Sequence, residues 1–361
     1  MPNLGTMRLR NKRFPEFLIA GVFFLVPGFV LPLAGQNPPA SAPSQAPAPA
    51  PSQPPATNQT PTANPAQSPA ANQPQEPSGT DNGTFVFRSE AREVILHATV
   101  VDDKNRLVTA LAKTDFKVFE NGHPQQIRLF KREDYPVAMG IVIDNSGSMR
   151  EKRDEVNKAA LNLVRSSNPD DQVFVVNFSD EYYLDQDFTS SIAKLKEALD
   201  HVESRGGTAL YDAVIASADY LLKSPLQRKI LFVVTDGEDD ASQENLEEAV
   251  HRLQQENGPV VYAIGLLGGD KNRKAKRALE LLADHTGGIA FFPPTLGEVD
   301  QISATVARDI RSQYTISYDP TTPKSVGGFR TILVQARAQH YKHLTVRTRS
   351  GYYPGQESAP K

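Results

Sequence analysis

Two aspartates, two serines and a threonine are the residues here whose types and order could do chemistry. Asp144, Ser146 and Ser148 alternate in Asp144-Asn145-Ser146-Gly147-Ser148-Met149, directly after the apolar run Val137-Ala-Met-Gly-Ile-Val-Ile143. An extended loop can turn all three oxygens toward one point. About sixty residues on, Arg205-Gly-Gly-Thr208 offers a hydroxyl after two glycines, and Ile230-Leu-Phe-Val-Val234 then ends in Thr235-Asp236-Gly237. Hard oxygens without sulfur or imidazole suit Mg²⁺, or Mn²⁺ or Ca²⁺, the first with an octahedral shell at roughly 2.1 Å that usually keeps several waters. Each residue also has a purely structural reading. Ser148-Met-Arg-Glu151 is a capping box, Thr208 a helix N-cap, and Asp236-Gly237 a turn.

The elements that must position these residues decide between the readings. Unalternated apolar runs at 137–143 and 230–234 predict strands buried on both faces, and the carboxyl ends of such strands are where open α/β sheets bind ligands. Further strands are predicted at Val173–Val176, Pro259–Gly265 and Ile289–Phe292. They alternate with helical segments near 150–166, 190–203, 209–223, 242–256, 271–285 and 296–313. Such alternation implies right-handed crossovers and a parallel sheet covered on both faces.

In this order and context the five residues resemble the metal-ion-dependent adhesion site of a von Willebrand factor A (VWA) domain. That pattern is D-x-S-x-S, a loop threonine, then a strand-end aspartate before glycine. It falls on Asp144, Ser146, Ser148, Thr208 and Asp236 without departure. The resemblance covers about residues 136–310. It implies a Rossmann-like, doubly wound, mostly parallel sheet, a top-face cation held by those side chains, and a position open to a partner's Asp or Glu carboxylate. The loops around Asn145, Gly207 and Gly237 would then form the partner-binding rim.

Flanking this α/β region, residues 81–135 and 311–355 alternate in strand style. The first holds Val94–Val101, Phe116–Phe119 and Ile127–Phe130; the second holds Tyr314–Tyr318, Phe329–Val334, Thr345–Thr348 and Gly351–Pro354. Neither set is large enough to fold alone, so the two are expected to complete one small, discontinuous, Ig-like β-sandwich around the inserted VWA unit. Leu111–Phe116, Val118–Gly122 and Arg349–Tyr353 resemble the VWFA-related acidobacterial domain family, which adds architecture more than mechanism.

Composition bounds the rest. With 39 Lys+Arg against 42 Asp+Glu, a net charge of −3 leaves no electrostatic footprint for nucleic acid. Zero cysteines exclude disulfides, thiolate metal sites and a lipidated cysteine. Arg8, Arg10, Lys12 and Arg13 precede the apolar stretch Phe17–Val26, which continues to Gly35, so residues 1–35 read as an export signal. Either it is cleaved near Ala34 or Gly35, or residues 17–34 stay as an inner-membrane anchor, the only route to a membrane. The expected location is periplasmic or extracellular. Residues 36–80 are almost wholly Pro, Ala, Ser, Gln, Asn and Thr, with Glu76 the single charge. They cannot bury enough surface to offset chain entropy, and read as a disordered spacer reaching on the order of 100 Å when extended, followed in order by the folded part and a short 356–361 tail.

Weaker features are more simply structural. Lys271–Arg277 is a basic run at a helix start, Glu238, Asp239 and Asp240 suit the dipole of the next helix, and His340 and His343 form a surface pair. No G-x-S-x-G, G-x-x-x-x-G-K or H-E-x-x-H occurs. The expectation is an exported, metal-dependent protein-binding module without catalytic residues. The alternatives are a Mg²⁺-dependent hydrolase using the same cation, and a structural envelope protein with a vestigial site.

Overall fold

The computed structural model describes residues 93–200, 204–268 and 272–355. The expected leader at 1–35, the linker at 36–80, the first residues of the 81–135 segment and the 356–361 tail lie outside the described residues. In chain order the strands are β1 (Val94–Asp102), β2 (Phe116–Glu120), β3 (His123–Gln125), β4 (Ile127–Lys131), β5 (Val137–Asp144), β6 (Gln172–Phe178) and β7 (Tyr182–Thr189). After them come β8 (Arg228–Thr235), β9 (Val260–Gly265), β10 (Ile289–Phe291), β11 (Tyr314–Tyr318), β12 (Arg330–Ala336), β13 (Leu344–Arg347) and β14 (Gly351–Tyr352). The helices are α1 (Arg153–Arg165), α2 (Ile192–Asp200), α3 (Leu210–Leu221), α4 (Leu246–Leu253), α5 (Arg273–Asp284) and α6 (Val299–Arg311).

Strands β10-β9-β8-β5-β6-β7 form the central sheet, parallel except for the antiparallel edge strand β7. All eight residues of β5 are buried, as an unalternated apolar run requires of a strand covered twice. Val137, Met139, Ile141 and Ile143 face a core shared with α1, α2 and α6, whereas Ala138 and Val142 face one shared with α3, α4 and α5. Gly140 interrupts the second set because the Phe174 ring lies over it; a Cβ there would come within 2.4 Å of Phe174 Cζ. From β5 the chain crosses to β6 on one side, while its other neighbour β8 leads outward to β9. The connections leaving adjacent β5 and β8 therefore run in opposite directions, which is the switch-point arrangement of doubly wound sheets.

The flanking strands assemble as two four-stranded sheets, β13-β1-β11-β4 and β14-β12-β2-β3. They share one core, in which Leu96, Ala98 and Val100 of β1 meet Phe116, Val118, Tyr314, Ile316, Ile332 and Val334. Strand β1 pairs with β11 from Val94↔Tyr318 to Ala98↔Tyr314, so segments on either side of the α/β unit are hydrogen-bonded neighbours. Within this sandwich Glu120 and Arg330, each 2% exposed, form a buried ion pair. The hydroxyls of Tyr318 and Tyr352 donate to Glu120 Oε2 at 2.6 and 2.9 Å, and Arg330 donates to the carbonyls of Thr322, Pro323 and Val326.

The outer face of β1 is covered by the α/β unit. Asp309 near the end of α6 joins the two: it accepts from Tyr262 Oη of β9 at 2.6 Å, from Arg347 of β13 at 2.6 Å and from Thr99 of β1 at 3.4 Å. No helix among the described residues is long and apolar enough to cross a membrane.

Candidate metal centre

The site is built at the carboxyl ends of β5 and β8, where three loops meet. Asp144 ends β5 with no exposure to solvent. Its Oδ2 accepts from Thr235 Oγ1 at 2.5 Å and its Oδ1 from the Ser146 amide at 2.7 Å. Ser146 Oγ lies 3.1 Å from Ser148 Oγ, which donates to Asp236 Oδ1 at 2.7 Å. One hydrogen-bonded chain thus links the serines to the second aspartate across adjacent strands. The ammonium of Lys152 rests on the other carboxylate oxygen of Asp236. Thr208, 5% exposed, stands beside the Asp236–Gly237 turn: a Cβ on Gly237 would lie 3.3 Å from Thr208 Oγ1.

Local backbone contacts hold the loops in place. The Gly147 amide donates to Gly206 O at 3.2 Å, and Arg205 N donates to Asn145 O at 2.9 Å. Gly206 has φ +79°, and a Cβ on it would meet Asp180 Oδ2 at 2.1 Å, so both the conformation and the space require glycine. Asp180 in turn accepts from the Gly207 amide at 2.7 Å, and Asp240 accepts from the Thr208 amide at 2.7 Å. Gly207 and Gly237 are partly exposed, whereas Asn145 is 6% exposed and accepts from Ser204 Oγ at 3.0 Å beneath the rim.

Two structural readings of these residues are not what the chain adopts. Ser148 belongs to a short 3₁₀ turn at Gly147–Met149, and α1 starts only at Arg153 after Lys152, with no side-chain cap. Its hydroxyl goes to Asp236 in place of a capping box, because the tertiary carboxylate is the stronger acceptor. The residue before α3 is Ala209, so Thr208 is not its cap. Helix α4 also begins later than expected, capped by Asn245 at Glu248 N, because Asp212 holds the amides of Gln243 and Glu244 outside it. Asp239 serves the start of α3, accepting from Tyr211 N and Ser242 Oγ, and so does not feed the dipole of α4. His340 and His343 are exposed on the connection after β12, and Lys274 pairs with Glu238 at the surface.

The sequence assigns no role at the site to Lys152, Thr235 or Asp180, and it reads Asp240 as an acidic residue before the next helix, whereas its carboxylate holds the Thr208 amide. Only Thr235, beside Asp236 at the end of an apolar run, carried a usable signal; the others act across loops distant in sequence.

The donor set fits a hard divalent cation. Burial pushes the Asp144 carboxyl above the ordinary carboxylate range; the Thr235 and Ser146 hydrogen bonds oppose this, and the Asp236 charge adds to it. No Lys or Arg forms an ion pair with Asp144 among the described residues, and a buried carboxylate in that state is favoured by a nearby cation. Among the described residues no group of three or more His, Cys, Asp or Glu side chains is placed for a metal; this set has two carboxylates and otherwise hydroxyls. Imidazole and thiolate chemistry therefore have no part in it.

Residues 139–238 match the model of the von Willebrand factor type A domain. This VWA match contains Asp144, Ser146, Ser148, Thr208 and Asp236, and its bounds run from within β5 to just beyond β8. No curated protein matches the chain. Among solved structures, the chain is similar to proximal thread matrix protein 1 of the mussel byssus, in a form with a zinc-occupied MIDAS motif. The identity is 20%, over 54% of this chain and 50% of that one, with a TM-score of 0.45. It is also similar to the PilB minor pilin of Streptococcus sanguinis, at 15% identity over 50% of this chain and 63% of the pilin, TM-score 0.41. A third similar structure is the vWF domain of the type V pili tip protein Mfa5 from Porphyromonas gingivalis, at 14% identity over 48% of this chain and 96% of that one, TM-score 0.41. The chain spans about half of the mussel protein and under two thirds of the pilin.

Proposed function

We propose that Asp144, Ser146, Ser148, Thr208 and Asp236 hold a divalent cation, Mg²⁺ first and Mn²⁺ or Ca²⁺ as substitutes, and that the protein is a metal-dependent adhesion module. The observation that carries this is the oxygen chain from Ser146 through Ser148 to Asp236, on which the Lys152 ammonium already rests. Asp144 lies buried beside it without an ion pair among the described residues. Arg153, whose charge reaches Asp144, is committed to Asn177 and the Leu199 carbonyl, and the one cationic contact of the cluster among the described residues comes from a flexible side chain that a cation can displace.

A bound cation would supply a coordination position for an Asp or Glu carboxylate of a partner protein. The chain's own part is to orient the oxygens: Thr235 fixes one oxygen of Asp144, the Ser146 amide fixes the other, and Asp180 and Asp240 brace the loop that carries Thr208. The proposal assigns no catalytic residue. The basic and apolar residues at 8–26 support export to the periplasm or outside the cell.

Titration calorimetry of the full chain with MgCl₂, MnCl₂ and CaCl₂ tests the metal. One ion per chain is expected, with affinity reduced at least about hundredfold in Asp144→Ala, since even outer-shell partners of a metal contribute 10–100-fold. Affinity capture from a cell-envelope extract, run with Mg²⁺, with EDTA and with Asp144→Ala as bait, tests the partner. Equal capture in all three conditions would remove the metal from the binding surface.

A further inference from the structure

At the end of the sheet opposite the metal centre, the starts of β8 and β9 meet the outer face of β1 around a cavity of about 250 Å³. His97 of β1, Lys229 of β8, Glu256, Thr348 and Arg349 contribute to its lining. His97 also lines a neighbouring cavity of about 370 Å³ that reaches Arg228. Exposed Pro225 and Gln227 border both, so the cleft opens to solvent.

The charges around this cleft do not balance. Arg228 is 3% exposed and Arg349 is 9% exposed, yet neither guanidinium has a carboxylate within ion-pair distance among the described residues. Arg228 donates to Ile310 O and Gln313 Oε1, and Arg349 to the carbonyls of Leu253, Gln255 and Glu256. The half-buried Lys229 donates among the described residues only to Leu226 O, at 2.8 Å. Glu256 is already engaged by Lys324 at 2.6 Å and by the Gly355 amide at 3.0 Å. Carbonyl dipoles solvate a buried cation without neutralising it, and buried Lys and Arg are otherwise almost always paired. Two buried polar atoms here, Thr348 Oγ1 and Arg228 Nε, have no hydrogen-bond partner among the described residues. The same crowding holds the His97 imidazole down to about 3, through burial first and then the charges of Arg228, Arg349 and Lys229.

We propose that this junction cleft is a binding site for a small oxyanion, of the phosphate or compact carboxylate type, held by Lys229 and Arg349 against the Thr348 hydroxyl. Low-dielectric walls with an excess of positive charge, Lys229 and Arg349 against a Glu256 already paired with Lys324, concentrate such an ion. Because Lys229 belongs to the α/β unit whereas His97, Thr348 and Arg349 lie on or next to sandwich strands, the bound ion fastens one to the other. Neither the metal nor its carboxylate partner is involved.

The test uses the full chain in EDTA, so that no divalent cation can hold the anion elsewhere. Sodium phosphate and sodium malonate are titrated calorimetrically, and each is compared with sodium chloride at matched ionic strength in thermal unfolding. One oxyanion per chain is expected, with Kd of about 1 mM or tighter and a melting point raised by a few degrees over chloride. Binding by phosphate alone or by malonate alone identifies the source. Lys229→Met keeps the aliphatic stem and is expected to weaken binding at least about tenfold, Lys229→Arg to restore it, and Thr348→Val to weaken it severalfold with circular dichroism unchanged. The proposal is overturned if neither oxyanion exceeds chloride, or if Lys229→Met binds as the wild type does.

Discussion

The sandwich and the top of the central sheet each bury a polar constellation, and they are completed in opposite ways. Around Glu120 and Arg330 every charge meets an opposite charge, a tyrosine hydroxyl or a carbonyl, and both residues are 2% exposed. Around Asp144 and Asp236 the oxygens hydrogen-bond to one another, Ser148 is exposed, and the cation in contact is the end of a long, partly exposed side chain. A closed network of this kind stabilises one conformation and leaves nothing for a ligand to add. The open one is held in shape by its neighbours and still has an unmet charge. Burial of charge alone therefore does not mark a functional site; the direction in which its compensation is missing does.

The contrast yields graded tests. The largest effect belongs to the closed network: Glu120→Gln leaves Arg330 buried without its counter-charge and is expected to lower unfolding stability by about 3–5 kcal/mol in urea titrations. A loss under 1 kcal/mol would mean that the carbonyls of Thr322, Pro323 and Val326 hold Arg330 unaided.

The junction cleft lies between the extremes, with charges that are buried and uncompensated. His97 titrates at 6.5 when unperturbed and at about 3 in the fold. Between those values the unfolded chain holds a proton that the folded chain does not, so stability falls as pH drops through that window, by up to about 1.4 kcal/mol per pH unit. His97→Asn is expected to flatten that part of the profile, measured as urea midpoints from pH 7 to pH 4; an unchanged slope would assign the acid sensitivity elsewhere.

At the open site, Lys152→Met removes the competing ammonium and is expected to tighten Mg²⁺ binding by about fivefold, or ~1 kcal/mol, in calorimetry. The smallest effect is on stability: Asp236→Asn is expected to change the unfolding free energy by less than about 1 kcal/mol without metal, while abolishing the Mg²⁺-induced rise in melting temperature. A large loss of stability there would make the site a closed network after all.

Much of this architecture was legible because it depends on local pattern. The unalternated run at 137–143 reports a strand covered twice, and β5 is buried at every residue. The positions of Asp144 and Asp236 at strand ends follow from where the apolar runs stop. What was not legible depends on contacts between distant segments. The spacing of Ser148 and Glu151 describes a capping box as well as it describes a loop, and only the arrival of Asp236 from β8 decides the matter. Lys152 reads as one more residue of a polar helix start until the fold sets it on that carboxylate. The alternation in β1 shows that His97 points away from the sandwich core, yet says nothing of the three cations brought up to it by β8 and the segment after β13.

The pairing of β1 with β11 carries a consequence for how the chain acquires its shape. Val94 and Tyr318 are register partners, and β4 pairs with β11 at Ile316↔Phe130, so both sheet contacts close loops that contain the whole α/β unit. Closing so long a loop from a disordered chain is slow. Once the α/β unit has folded, its entry and exit lie side by side, and the remaining search is short. As the chain emerges N-terminus first, β1 to β4 must wait for the last strands, and until then their apolar faces lack the partners they pack against.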